Sequence, residues 1–564
     1  MFGCPTGEIK NVGLENVNVT VTGEGAWSVG GLVGLTDSSI TNCYATGTVS
    51  GYDSTGILVG CSGGAITNSY ATGSVTGTYS TGGLVGYTSD TITNSYATGS
   101  VTGTGTGNDT GGLAGHANGA ITNSYSNSSV TGTYNVGGLV GWTESNITIT
   151  NSYATGNVTG QEIVGGLAGY INLNNTITNS YATGNVTWSG SGEGEKFGGL
   201  VGGTWKGIEI KNSYATGEVS AKKYQGGLVG YLDSSSSQKS KITNCYSSST
   251  VKGTDQYTGG LVGYALTGST VSNSYATGGV TGTGNYTGGL AGSASTITNS
   301  YATGGVTGTS NAGGLAGQAS GAITNSYATG NVKGTDWVGG LAGFIHHPSG
   351  TVSYNQIASY GKVSGNSCVG SLVGGISDIN TGSSYATINF TNVQARSQGL
   401  DAIGGEFEYQ GQGVYIPINH SIDTWNSAIE QIELPSTETT LQVGINGDTS
   451  SQVTVDTNFA LNLDIADISS SGAYNTIKDF LDTLSSKATE IGAAQNRLES
   501  ALESTLTSMN NLTSSLSTIR DADIAKVSSQ YIKNQILQQA SATLLATANQ
   551  SPAFTLQLIQ GLAR

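Results

Sequence analysis

The stretch GGLVGYTSDTITNSYATGSVTG, residues 82–103, decides the fold. It returns with small changes through the chain to about residue 375. Its tyrosine recurs at Tyr44, Tyr70, Tyr96, Tyr125, Tyr153, Tyr181, Tyr214, Tyr246, Tyr275, Tyr301 and Tyr327, and Tyr354 reads as a degenerate last copy. The steps are 26, 26, 29, 28, 28, 33, 32, 29, 26, 26 and 27. A fixed kernel at variable spacing marks a repeat architecture in which each unit is one structural element and insertions fall in its loops. Glycine density and β-branched content exclude helix. Runs such as GLVG, TITNSYA and GSVTG have strand length and are punctuated by glycine. No single unit can bury its few apolar residues, but a stack can, with Leu, Val, Ile and Tyr aligned in columns. The unit therefore predicts a parallel β-solenoid of about twelve coils, roughly 58 Å long at ~4.8 Å per coil. The repeated Asn and Ser suit its corners. The tyrosine column has two readings, a packing ladder and an exposed aromatic face for carbohydrate, and packing is the commoner use of such a column.

The rest of the composition agrees. Gly numbers 90 in 564 residues, about twice the usual share of ~7%, while charged residues are 10% and Pro only 5. Net charge is −16, with a pI near 4.5. A chain so acidic lacks the clustered Lys and Arg of a nucleic-acid binder or of a polybasic membrane-surface helix. Cys4, Cys43, Cys61, Cys245 and Cys368 are odd in number and irregular in spacing, without CxxC, so no disulfide framework is expected. Cys43 and Cys245 stand where other copies have Ser, as small buried residues. The opening MFGCPTGEIKNVGLENVNVT has no basic region followed by an apolar run, so export without a cleaved signal is expected. No stretch approaches the ~18 apolar residues of a membrane span. No P-loop or HExxH occurs, and no GGxGxD calcium repeat. His346 and His347 read as a solvated loop pair rather than metal ligands. No catalytic residue, cofactor or metal site is expected.

Composition switches near Gly472. From Ala473 onward glycine occurs only at 492 and 561, and seven basic residues balance seven acidic ones, so the whole −16 lies upstream, 12 against 28. Steps of 4, 3, 4, 3 pick out Ile477, Leu481, Leu484, Ala488, Ile491, Gln495, Leu498, Leu502, Thr505, Met509, Leu512, Leu516 and Ile519. Only Gln495 and Thr505 break this heptad seam. A helix of ~43 residues would be about 65 Å long, and needs a partner along its seam. A second helix is expected from about 524 to 549, carrying Ile536, Leu537, Leu544 and Leu545, with Leu556 and Leu558 in an apolar piece after Pro552.

Two resemblances follow. The GGLVG and ITNSYATG pattern is similar to the GLUG motif family of bacterial secreted and surface proteins, which marks architecture rather than chemistry. The run QNRLESALESTLTSMNNLTSSLSTIRDADIAKVSSQYIKNQILQQASATLLATANQ closely resembles the C-terminal domain of bacterial flagellin. Residues 441–473 resemble the β-rich stretch that joins the two helical arms of flagellins. The chain thus divides, as expectation, into a solenoid (1–395), a β-rich connector (396–472) and a helical domain (473–564). The resemblance implies a structural subunit of the extracellular flagellar filament. Its solenoid would face outward, other flagellin subunits would be its partners, and its polymerisation residues would be Leu498, Leu502, Leu512, Leu516, Ile519, Ile536, Leu537, Leu544, Leu545, Leu556 and Leu558. Flagellins begin with a helical arm that pairs with these helices, whereas this sequence opens inside the solenoid pattern, so the expectation is either a truncated or split gene or an arm supplied in trans by another chain. Two alternatives stand beside this: an adhesin-like surface module anchored by its helices, and a flagellin remnant that does not assemble.

Overall fold

The computed structural model describes residue 5, residues 7–347 other than 22, 24 and 26, residues 351–378 and 387–395, residue 403, and the strands Thr439–Gln442 and Gln452–Val455. Two compact units divide the chain, residues 1–419 and 420–564. In the second, the described residues are the two short strands, which pair antiparallel. The expected helices and all eleven expected polymerisation residues lie outside the described residues.

The first unit is a parallel β-solenoid. Two narrow sheets contain 13 strands each, and one broad sheet contains 34. One representative coil runs through Ile92–Thr93, Tyr96–Gly103, Asp109–Gly111 and Ala114–Ala117. The first two strands belong to the broad sheet and the others to the two narrow sheets. Successive copies pair in register, Tyr70 with Tyr96 and Val75 with Val101, so sequence repetition becomes columns in space.

Those columns are the core. Leu32 begins a line of fully buried leucines that passes through Leu84, Leu113 and Leu200 and ends at Leu372. Its backbone is tied as well: the Leu113 carbonyl accepts from the N–H groups of both Leu84 and Val85. Ile92, Ala97 and Val101 stand in three further interior columns. Within Tyr96–Gly103 the burial alternates, Ala97 and Val101 inward and their neighbours outward, as a half-buried strand requires. Each buried Leu or Ile contributes about 1.5–3 kcal/mol relative to exposure, and no single coil could collect that gain alone.

The glycine pattern records close backbone approach. A Cβ on Gly83 would lie 2.2 Å from the Gly112 carbonyl oxygen, and one on Gly82 would lie 2.0 Å from the Val85 carbonyl oxygen. The GG before each leucine is therefore a steric requirement of the bend between the narrow sheets. Asn supplies the other corner. Asn68, Asn94, Asn123 and Asn151 have φ of 51°, 50°, 49° and 50°, in the left-handed region that Asn tolerates better than most residues.

The solenoid is longer by one coil than the tyrosine count implied, and Tyr354 is a correction. It pairs with Ile323, not with Tyr327, whose partner is Ala358. Gln356 takes the left-handed corner, with φ of 52°, so this coil is shifted relative to its apparent motif. Tyr354 therefore fills the isoleucine column and is buried. His346 and His347 are the second correction: they end the strand Ala342–His347, where a loop was expected.

Candidate functional site: the ladders of the solenoid surface

Stacking in register turns each outward residue type into a ladder. The asparagine corners form one. Asn94 Nδ2 donates to Asn68 Oδ1 at 3.2 Å, Asn123 to Asn94 at 3.2 Å, and Asn151 to Asn123 at 3.1 Å. The adjoining serines form a second, buried one. The Ser95 N–H donates to Ser124 Oγ at 3.1 Å, while Ser95 Oγ donates to the Thr93 carbonyl at 2.8 Å. Cys43 and Cys245 take serine slots as expected: both are buried free thiols, and each Sγ donates to a carbonyl at 3.3 Å. Burial pushes the Cys245 thiol up to about 11, so the reactive thiolate is scarce near neutrality.

Eleven tyrosines, Tyr44 to Tyr327, form the third ladder. Neighbouring ring centroids are 4.8–5.1 Å apart and interplanar angles are 1–6°. Each ring face lies against the next ring. At the start, Gly13 pairs with Tyr44, and a Cβ there would fall 2.2 Å from the ring. At the far end Ala358 underlies Tyr327. With both ring faces occupied, only edges and hydroxyls meet solvent, so this ladder is packing and presents no flat platform to a sugar. Burial raises the phenol of Tyr301 to about 12. It also raises those of Tyr125, Tyr153 and Tyr181 above their ordinary value. The Glu15 carboxylate, 3.2 Å from the Tyr44 hydroxyl, raises that one.

A second aromatic surface was missed by sequence reasoning. Tyr87, His116, Trp142 and Tyr170 succeed one another on one narrow sheet, and Trp142 stacks on Tyr170 at 4.8 Å. His116 is held between carboxylates, Nδ1 at 3.0 Å from Asp109 and Nε2 at 3.2 Å from Glu144. Beside it, Tyr224, Tyr257 and Tyr286 stack at 5.4 and 4.8 Å, each with φ between 57° and 65°. A bulky residue there is strained by roughly 1–2 kcal/mol. Both groups hold fixed places beside the GGL kernel, but residue type there changes from coil to coil (Cys61, Gly203 and Ser293 stand in the first column), so no repeated letter announced them.

Catalytic geometry is not assembled at the one hydrolase-like string. Gly60-Cys61-Ser62-Gly63-Gly64 has the G-x-S-x-G order, yet Ser62 is buried and its hydroxyl donates to the Gly64 carbonyl at 2.7 Å. Among the described residues no group of three His, Cys, Asp or Glu side chains could hold a metal ion.

Comparison with known proteins places both halves. Residues 475–559 match the bacterial flagellin C-terminal helical region. Residues 25–50, 77–102, 132–159, 254–281 and 308–333 match the GLUG motif, each segment spanning about one coil. The protein named "Putative flagellin YvzB" of Bacillus subtilis (strain 168) is 38% identical over 120 residues, covering 74% of that protein and 21% of this chain. The chain belongs to the flagellin family. A flagellin of the same organism is 43% identical over 105 residues, 18% of this chain and 34% of that protein. A flagellin of Clostridium tyrobutyricum is 40% identical over 113 residues, 20% of this chain and 30% of that protein. The chain thus spans about a third of the length of these two flagellins. No solved structure matches the chain. This flagellin-family chain therefore joins a helical region of flagellin type to a GLUG solenoid whose coils the structure defines.

Proposed function

We propose that this chain is a structural subunit of a flagellar filament that carries its solenoid outward. The observation that supports this reading best is the match of residues 475–559 to the flagellin C-terminal helical region. The heptad seam ending in Leu512, Leu516 and Ile519 is long and apolar, and a small domain could not bury it. Such a seam is closed by partner helices, and in a polymer the neighbouring subunits supply them. Leu498, Leu502, Ile536, Leu537, Leu544, Leu545, Leu556 and Leu558 complete the proposed polymerisation surface. The partners are flagellin subunits, the same chain or another, and the filament is extracellular.

The test is co-assembly. The full chain, mixed with intact flagellin monomers and seeded, should enter filaments detectable by immunogold electron microscopy. Replacing Leu544 and Leu545 together by Asn should reduce incorporation at least tenfold and leave the solenoid's β-sheet circular dichroism unchanged. Incorporation that persists in this double variant would remove these residues from the assembly surface. Failure of the unaltered chain to enter any filament would remove the function.

A further inference from the structure

We propose that a cleft across the first four coils binds a neutral oligosaccharide. The cleft has a volume of about 530 Å³ and is lined by Trp27, Tyr52, Asp53, Tyr79, Ser80 and Asp109. That size falls in the ~300–1,000 Å³ range of small-molecule sites. Its residues lie immediately before or at the start of strands Ser28–Gly30, Ser54–Gly56, Ser80–Gly82 and Asp109–Gly111. The site is thus built from one corner of four successive coils and runs along the stack.

The chemistry separates this corner from the ladders. Trp27 is 73% exposed and Tyr79 is 44% exposed, and among the described residues no ring stacks on Trp27. Tyr52 and Tyr79 meet edge to face at 5.4 Å and 77°, so they form a wall rather than a closed cage. A free indole face beside such a wall offers an apolar platform to the C–H face of a pyranose ring. The polar groups suit its hydroxyls. Asp109 is fixed from behind, Oδ2 against His116 Nδ1 at 3.0 Å and Oδ1 accepting from Asn135 Nδ2 at 2.8 Å. Two hydrogen bonds leave an ionised carboxylate with further lone-pair sites for incoming donors. Partial burial raises the Asp53 carboxyl above its ordinary value.

The lining residues also exclude ligands. Among the described residues no Lys or Arg lines the cleft, and two carboxylates repel phosphate, uronic acids and sialylated glycans. On the far wall Gly107 has φ of +77° and open space where a Cβ would stand. A chain of sugars can therefore continue past it along the coils.

The test uses the full chain on an array of neutral, uronic-acid-containing and sialylated oligosaccharides, followed by calorimetry with the strongest neutral ligand. Neutral glycans should be retained. Trp27→Ala and Asp53→Asn should each weaken binding at least tenfold, while Trp205→Ala, an exposed tryptophan outside the cleft, should leave it unchanged. Circular dichroism and the thermal midpoint of each variant verify folding. An array without neutral binders overturns the proposal, as does a preference for acidic glycans or binding that survives Trp27→Ala. Tetramethylammonium displacing the glycan would overturn it too, since that would reassign the rings and carboxylates to a cation. None of these readouts depends on filament assembly.

Discussion

Gly278 and Gly279 adjoin in sequence and differ completely in what they tolerate. A Cβ on Gly278 would stand 2.0 Å from the Ser249 carbonyl oxygen, whereas the nearest atom to one on Gly279 is 3.9 Å away. Other coils agree, keeping Gly at the first position (Gly156, Gly184, Gly217) and placing Asn157, Asn185 and Glu218 at the second. Gly278→Ala forces backbone apart and should cost about 1–3 kcal/mol, the usual penalty of overpacking. Gly279→Ala should be neutral or stabilising by about 0.4–1 kcal/mol through reduced freedom of the unfolded chain. Urea midpoints of the two variants measure the difference, and equal shifts would contradict the close-approach account. At this scale the sequence was legible wherever one residue type meets one steric demand, as with the GG doublet and the Asn corners. It misled at Tyr354. There, a step of 27 imitated the repeat while the left-handed corner had moved to Gln356.

The tyrosine ladder sets the pH behaviour of its face. From Tyr96 to Tyr327 its phenols have folded-state pKa values raised above the ordinary value, with Tyr301 at about 12, chiefly through burial. A raised value means that the fold favours the protonated form. The contribution is therefore fully present below the unfolded value, roughly 10, and is lost as pH rises through the folded one. Cys245, raised from 9.0 to about 11, acts in the same direction. The solenoid should hold its circular dichroism to about pH 10 and lose it as pH approaches about 12, with phenolate absorbance rising together with unfolding. Phenols that titrate near pH 10 in a chain that keeps its sheet signal would show the ring edges to be fully solvated. The column was legible because the kernel around each tyrosine recurs almost unchanged although its spacing varies, and the structure favours packing over an open aromatic face. Trp27, Tyr52 and Tyr79 were not legible as a group. Trp27 and Tyr79 hold equivalent places before Gly30 and Gly82 and Tyr52 is one residue off theirs, but the corner is insertion-prone and its residue type is not repeated along the chain, so only stacking of the coils shows them as a group.

A stack in which each coil touches mainly its neighbours should be divisible at its own period and nowhere else. Tyr275–Ser300 is one whole 26-residue coil: Ser274 donates its N–H to Ser300 Oγ across that interval, and Tyr275 pairs with Tyr301 in register. Its deletion joins Ser274 to Tyr301 and leaves every column continuous. The shortened chain should fold with the same circular dichroism per residue and lose ~4.8 Å of stack length. Its total stability should fall by one coil's intrinsic and interface contributions. Deleting only Tyr275–Thr287 removes half a coil, brings outward residues onto the core face, and should abolish the soluble folded state. Small-angle scattering and proteolysis of the two deletions distinguish these outcomes. If both fold, the ladders are not what holds the stack in register. If neither does, coils at a distance cooperate more strongly than nearest-neighbour contact allows. The distinction bears on the proposed outward solenoid, because a surface module that changes length by whole coils could do so without disturbing the helical region that would assemble.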